Sequence, residues 1–350
     1  MEEYRCEAVE ENRCVDVAVL LTTYNGSKFV TAQVQSLAQN SKRFTLHWVD
    51  DHSTDQTREL VRTAAGQARV ALREWRHPEH QGGWGSFFYL LDCVDADIYL
   101  FCDHDDIWQP GKIDATVASL LPKLPQAALC FSDPLLFKDD RFHDTKRVST
   151  ITKVRAPRAL EPLRCFMSPC AWGHTQGFTR ALRDIYLKHS AVAKKYSFGH
   201  DWWMYILAVT MGDARMLTDV PTTLYRQHGA NFTTSYFDPK NFAQIWHLQQ
   251  LMRQGIARQA RGFLIASEAL PQGTKLDELR RIATLVSTLD RRQSATQLVK
   301  LVLNRCMWPS FRGALWLSLA CLASNAPEAG FEQFKVGQTQ SGTRTSSVSS

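Results

Sequence analysis

Three aspartates, Asp103, Asp105 and Asp106, fall within four residues directly after Ile98-Tyr99-Leu100-Phe101-Cys102, the most apolar short run in the chain. Carboxylates crowded at such a point repel one another unless a cation or a set of donors compensates. A hard divalent ion with oxygen ligands does so, and it screens a diphosphate at the same time. The plainer alternative is an acidic turn in solvent. A second acidic group, Asp50, Asp51 and Asp55, follows the alternating run Phe44–Val49. Aspartates so placed accept from a nucleobase N–H or a ribose hydroxyl, with Thr22, Tyr24 and Asn25 closing on the same ring. The alternatives are a helix cap at Asp55 and a loop carboxylate at Asp50. No GxxxxGKS/T phosphate loop occurs, and Gly82-Gly83-Trp84-Gly85 lacks the GxGxxG spacing.

Those acids act together only if the elements between them converge. Val15–Leu21 reads as a strand, and Asn25-Gly26 after it marks a turn. Helical spacing over 28–39 leads to strand 44–49, then to a helix over about 55–65 with Asp55 as its cap, then to strand 70–75. Gln81–Gly85 reads as a flexible turn ahead of helical 86–93, and strand 98–102 follows. A helix over 112–121, a strand over 127–131 and a polar excursion over 138–158 come next. Residues 170–178 read as mixed turn and strand, 180–189 as a helix and 202–209 as a buried helix. This alternation predicts an α/β fold with a mainly parallel sheet, whose ligands gather at the carboxyl ends of the strands. Beyond Tyr225–Gly229 the period changes, and 240–270 and 276–303 read as two long helices around Pro271-Gln272-Gly273.

Composition narrows the classes. At 350 residues, with 44% hydrophobic and 22% charged, the chain is not disordered, collagenous or coiled-coil. Its nine cysteines form no CxxC pair, which suits reduced thiols in a cytosolic protein and gives no structural zinc site. The first sixteen residues hold six acids and two arginines, the reverse of a secretory signal. The net charge of +6 is uneven: Lys240 to Arg312 carries 12 Lys and Arg against 4 Asp and Glu. The apolar stretch Phe311–Ala326 contains Arg312, Ser318, Ser324 and Asn325, so it suits a membrane surface, or packing on the rest of the protein, better than a crossing.

Taken in order, Thr22-Thr23-Tyr24-Asn25-Gly26, Asp50-Asp51-His52-Ser53-Thr54-Asp55 and Asp103-His104-Asp105-Asp106-Ile107-Trp108-Gln109-Pro110-Gly111-Lys112-Ile113 resemble the inverting family 2 glycosyltransferases of GT-A fold. Within these they resemble the rhamnosyltransferase-like bacterial enzymes of surface polysaccharide assembly, over roughly residues 15–235. The resemblance implies a GT-A domain over 15–238, behind a polar lead at 1–14. A basic helical extension over 239–325 and a mobile tail over 326–350 follow. It further implies nucleotide binding by Thr23, Tyr24, Asn25, Asp51, Asp55 and Asp103, and a divalent metal, Mg2+ or Mn2+, on Asp105 and Asp103 with His228 as a third ligand. His104 stands where the family usually has Gln.

By the same resemblance Asp201, in Gly199-His200-Asp201-Trp202-Trp203, is the general base, with a helix cap as its plain alternative. Arg226 and His228 meet the diphosphate. His174 and Thr175 lie toward the acceptor, Trp202 supplies an apolar wall beside the base, and Trp84, just after the glycines, either stacks on a sugar face or packs in the core. The expected partners are a dTDP- or UDP-linked sugar, rhamnose among the candidates, and a saccharide acceptor, free or lipid-linked. Peripheral contact with an anionic membrane and oligomerisation both suit the basic helices. Two rival classes are weaker. A nucleotidyltransferase needs a basic, glycine-rich loop that Thr23–Lys28 does not supply. Binding of nucleic acid lacks any finger, RRM-like or helix-turn-helix signature, so no nucleic acid partner is expected.

Overall fold

A computed structural model describes residues 15–138, 145–152, 165–166, 170–228, 242–270 and 273–288. The first half alternates as the sequence predicts: β1 (Val17–Thr23), α1 (Val30–Leu37), β2 (Thr45–Asp50), α2 (Thr57–Gln67), β3 (Ala71–Trp75), α3 (Gly82–Cys93) and β4 (Ile98–Asp103). There follow β5 (Ile107–Trp108), α4 (Lys112–Leu120), β6 (Ala128–Ser132), β7 (Leu135–Lys138), β8 (Lys146–Arg147) and α5 (Val148–Thr152). The remainder is β9 (Gln176–Thr179), α6 (Arg180–Lys188), α7 (Ser190–Tyr196), α8 (His200–Met211), β10 (Asp213–Leu217), β11 (Thr223–Gln227), α9 (Phe242–Ser267) and α10 (Thr274–Val286).

Seven strands form the main sheet in the order β10-β6-β9-β4-β1-β2-β3. The run β4-β1-β2-β3 is parallel, and β9 lies antiparallel between β4 and β6. Alternation divides the core. Val17, Val19 and Leu21 of β1 join Ile98, Leu100 and Cys102 of β4 under α1, α2 and α4. Ala18, Leu20, Tyr99 and Phe101 point the other way, into a cluster with α3 and α8. Each fully buried Leu in these strands contributes about 2 kcal/mol of transfer free energy. The paired ends of β1, β2 and β4 therefore open on one edge, where Thr23 stands beside Asp50 and Thr22 beside Asp103.

Three sequence expectations needed correction. Helix α3 begins at Gly82 rather than at 86, because Asp51 accepts the Gln81 and Gly82 N–H groups at 2.8 Å each. A cap supplied from another strand satisfies those amides and offsets the cost of the glycines. Helix α2 starts two residues later than expected, at Thr57. A second sheet, β5-β11-β7-β8, escaped the reading, since strands of two to five residues carry too little alternation to register.

The described helices beyond residue 241 continue the hydrophobic core. Ile256, Ala260 and Phe263 of α9 and Leu276, Leu279 and Ala283 of α10 share one buried cluster with Trp203 and Leu207 of α8. Several of its cations have structural partners. Arg261 donates to Ser287 O at 2.8 Å, Arg280 to Ser267 O, and Arg258 to Lys195 O, each at or beside a helix C-terminus. Among the described residues no helix is long and apolar enough to cross a membrane. Residues 1–14, Phe311–Ala326 and the tail lie outside the described residues.

Candidate active site

The site is built on the carboxyl end of β4. Asp103 ends the strand and Asp105 and Asp106 turn away from it into β5. Because β5 pairs antiparallel with β11, residues 226–228 run alongside the acidic turn. Arg226 N–H donates to Asp106 Oδ1 at 3.1 Å and Arg226 Nε to Asp105 O at 3.0 Å. His228 Nε2 lies 2.9 Å from Asp105 Oδ2, its ring stacked on Phe29 at 4.8 Å. The two residues are 123 positions apart in the chain. The second sheet is what joins them.

On the other side, His174 Nδ1 stands 2.8 Å from Asp106 Oδ2, both side chains buried. Burial opposes a charged imidazole there, but the charges of Asp106 and Asp103 outweigh it and raise the His174 pKa. The turn that carries His174 also reaches Asp201. Gly173 N–H donates to Asp201 Oδ2 at 3.0 Å, and Trp202 N–H to Asp201 Oδ1 at 2.8 Å. A Cβ at Gly173 would sit 2.9 Å from the His200 ring and 3.2 Å from the Asp201 Cβ, so this close approach requires glycine. Asp201 lies in the first turn of α8, where the helix dipole favours a negative charge.

Electrostatics separates the acids. Burial raises the Asp103 pKa; His174 opposes the rise, and Asp105, Asp106 and Asp201 add to it. Burial acts the same way on Asp105, but the His228 hydrogen bond and the charges of His104 and His228 outweigh it, so Asp105 is held below the usual carboxylate range. Asp201 is thus within electrostatic reach of Asp103, although the two come from separate segments of the chain.

Beneath the cleft lies a lysine whose role the sequence reading did not assign. Lys112 is buried, its Nζ 3.3 Å from the centre of the Trp108 ring and without a hydrogen-bond partner among the described residues. Burial pushes its pKa down to about 7, while Asp106 and Asp103 act in the opposite sense. A single Lys after an apolar-acidic motif offers no signal of such burial.

At the ends of β1 and β2 the polar residues mostly hold one another. Thr23 is 1% exposed, donates to Asp50 Oδ1 and accepts from the Trp48 indole. Asn25, at φ 46°, accepts from Thr54 N–H. Asp55 accepts from Ser27 N–H and Thr57 N–H; partial burial opposes its ionisation, but these hydrogen bonds bring its pKa down to about 2. It therefore ties two loops together two residues ahead of α2. Gly26 permits the approach of His104, since a Cβ there would lie 2.3 Å from the imidazole. Tyr24 and Asp51 both lie against His80. The Tyr24 ring lies 5.0 Å from the His80 ring, and His80 Nδ1 is 2.9 Å from Asp51 Oδ2.

The acceptor-side expectations meet burial. His174, Thr175 and Trp202 are 4%, 2% and 3% exposed. His174 serves Asp106, and the Trp202 indole N–H donates to Cys165 O. Trp84 packs edge-on to Phe198 at 5.5 Å, against the core. Arg226, expected at the diphosphate, is 7% exposed and held between Phe29 and Phe137.

Among the described residues no three His, Cys, Asp or Glu side chains form a ready-made metal cage. Asp105 and His228 nevertheless present an oxygen and a nitrogen to one point. That donor set fits a cation that takes one or two protein groups and completes its shell with phosphate oxygens and water.

A doubly flanked, mainly parallel sheet with acids at its carboxyl edge is the architecture of GT-A glycosyltransferases. Residues 18–181 match the family model described as glycosyl transferase family 2, and the chain carries a domain of that family and is a glycosyltransferase. It is 24% identical over 217 residues to the dTDP-rhamnosyl transferase RfbG of Shigella flexneri, covering 60% of this chain and 72% of that protein. Its fold matches S. aureus TarS 1-349, solved with UDP-GlcNAc, at TM-score 0.52 and 16% identity over 92% of each chain. It also matches the mannosyltransferase PcManGT of Pyrobaculum calidifontis, solved with GDP-Man and Mn2+, at TM-score 0.51 and 14% identity, over 92% of this chain and 83% of that one.

Proposed function

We propose that the protein is an inverting, divalent-metal-dependent transferase that moves a sugar from a nucleoside-diphosphate donor to a saccharide hydroxyl, with Asp201 as general base. The observation that carries this reading is the convergence of Asp201, through Gly173 and His174, on the Asp103–Asp106 cluster. Backbone N–H groups hold both Asp201 oxygens, which leaves the remaining lone pairs in a fixed direction. An acceptor hydroxyl hydrogen-bonded there gives its proton to the carboxylate as its oxygen bonds to the anomeric carbon. The opposite bond, from anomeric carbon to phosphate oxygen, breaks and leaves its electron pair on the nucleoside diphosphate.

Asp105 and His228 are the residues that would hold Mg2+ or Mn2+, which supplies charge neutralisation for the departing diphosphate. Arg226 holds the loop of Asp105 in place through its Nε–H. Tyr24, Asp51 and Asp103 line the nucleoside end. The likeness to RfbG makes dTDP-rhamnose the first donor to test, with UDP-linked hexoses second. The acceptor is a glycan, free or lipid-linked, in surface polysaccharide assembly. The free thiols of Cys93, Cys102 and Cys130 support a reducing, cytoplasmic setting, where the basic extension would meet an anionic membrane face.

Asp201→Asn tests the base. We expect kcat to fall by about 100- to 10,000-fold while nucleoside-diphosphate binding, measured by calorimetry with Mg2+ or Mn2+, stays within a factor of two or so. Full activity in this variant removes Asp201 from the role. Release of pyrophosphate rather than nucleoside diphosphate would favour the nucleotidyltransferase class.

A further inference from the structure

The cleft between Tyr24 and Asp51 already holds a planar nitrogen ring, the side chain of His80. Its Nδ1–H donates to the Asp51 carbonyl oxygen at 3.1 Å and lies 2.9 Å from the carboxylate Oδ2, and its ring meets Tyr24 at a tilt with centroids 5.0 Å apart. Asp51 itself is 2% exposed. Each of its oxygens accepts one backbone N–H of the α3 entrance, from Gln81 and from Gly82. A carboxylate oxygen accepts two hydrogen bonds comfortably, so each keeps one further site. His80 Nδ1 stands 2.9 Å from Oδ2, close enough to obstruct its free site, and His77 Nε2 stands 3.4 Å from Oδ1.

The segment around His80 is anchored on both sides. Tyr89 O–H donates to Arg76 O at 2.6 Å, and the His77 ring is buried 3.2 Å from Ser86 Oγ. Gly82 at φ +74° closes the loop onto Asp51 in a conformation that other residues adopt only with strain. Between these anchors the His80 side chain is still 30% exposed. It can turn outward without disturbing a packed core.

We propose that His80 occupies the nucleobase seat of the free enzyme, and that a donor whose base carries a ring N–H, such as uracil, thymine or guanine, takes over the same carboxylate and the same aromatic face by displacing it. The inference rests on reading the Tyr24–Asp51 cleft as the nucleoside site. Asp51 then has two duties. It caps α3 at all times, and it offers its second acceptor either to His80 or to the base. Donor affinity is set by a competition within the chain, and the apparent dissociation constant rises in inverse proportion to the fraction of molecules with His80 turned out.

Removing the internal competitor must tighten binding, whereas removing a wall residue must weaken it. In the full-length protein with Mg2+, His80→Ala is expected to bind UDP and dTDP at least about threefold more tightly than the unaltered chain in calorimetry. Equal or weaker binding overturns the proposal. A second measurement uses the natural sequence: carbethoxylation of His80, followed by mass spectrometry, should speed up when UDP or dTDP is added. Protection of His80 by nucleotide would place the ring in the wall of the site and overturn the proposal. If neither chain binds any nucleoside diphosphate, the donor reading falls and takes this inference with it. Binding by the unaltered chain without tightening in His80→Ala sinks the inference alone.

Discussion

Asp105 and His228 are 2.9 Å apart, yet neither is a metal site alone. Among the described residues no third His, Cys, Asp or Glu joins the pair, so the affinity of the proposed cation would depend on the phosphate oxygens that complete its shell. Asp105→Asn should raise the Mn2+ concentration for half-maximal transfer by about tenfold or more, and His228→Gln by a similar factor. Metal titrations of initial rate check both. Unchanged titration curves would detach this pair from the cation. Asp51 caps α3 with both oxygens and still lies 2.9 Å from His80, so the cap does not exclude the proposed role at the nucleoside.

At the scale of elements, α9 contributes by fitting closely. A Cβ at Gly262 would lie 2.3 Å from the Cβ of Tyr196, an atom fixed to the α7 backbone that no rotamer change can move. Gly→Ala inside a helix gains up to about 1 kcal/mol in propensity, but overpacking of this kind costs about 1–3 kcal/mol. The steric term wins, and Gly262→Ala is expected to lower the melting temperature by several degrees in calorimetry. An unchanged or raised melting temperature would mean that α9 does not pack against α7 in this way. Arg280 of α10 donates to Ser267 O at the end of α9, and Arg261 of α9 donates to Ser287 O at the end of α10. A surplus of positive charge that could have served a membrane is thus partly committed to holding two helices together.

At the scale of the whole molecule, two buried histidines make the fold acid-sensitive. His47 Nδ1 accepts the Trp75 indole N–H at 3.0 Å and must be unprotonated to do so. Burial, aided by the charge of Arg73, lowers its pKa to about 4. His200, stacked 4.0 Å from Phe87, is brought to about 4 by burial, with Asp201 opposing. Folded values lie below unfolded ones near 6.5, so stability is fully present above that pH and drains away as pH falls toward 4, by on the order of 3 kcal/mol per group. Thermal unfolding across this window should show the loss. A His47→Gln, His200→Phe double variant, which keeps an acceptor and a stacked ring, should flatten the profile. A slope that survives both substitutions would assign the acid sensitivity to other groups.

Unbroken apolar runs over Val17–Leu21 and Ile98–Cys102 made β1 and β4 readable, because a strand buried on both faces has few other ways to exist. The order of the acidic motifs pointed to the chemistry for the same reason, since strand ends are where such a sheet leaves side chains open. The burial of His174 and Trp202 was not legible, because a polar or aromatic residue in a turn carries no mark of what will cover it. Nor was the junction of Asp105 with His228, which depends on a register between strands of two and five residues. The linear chain thus determined which groups were available and roughly where the main strands and helices fell. Only tertiary packing decided which acids share a cleft, which cations answer to helix ends, and that His80 lies against Asp51, because long-range pairing and burial are properties of the assembled fold and not of any local run.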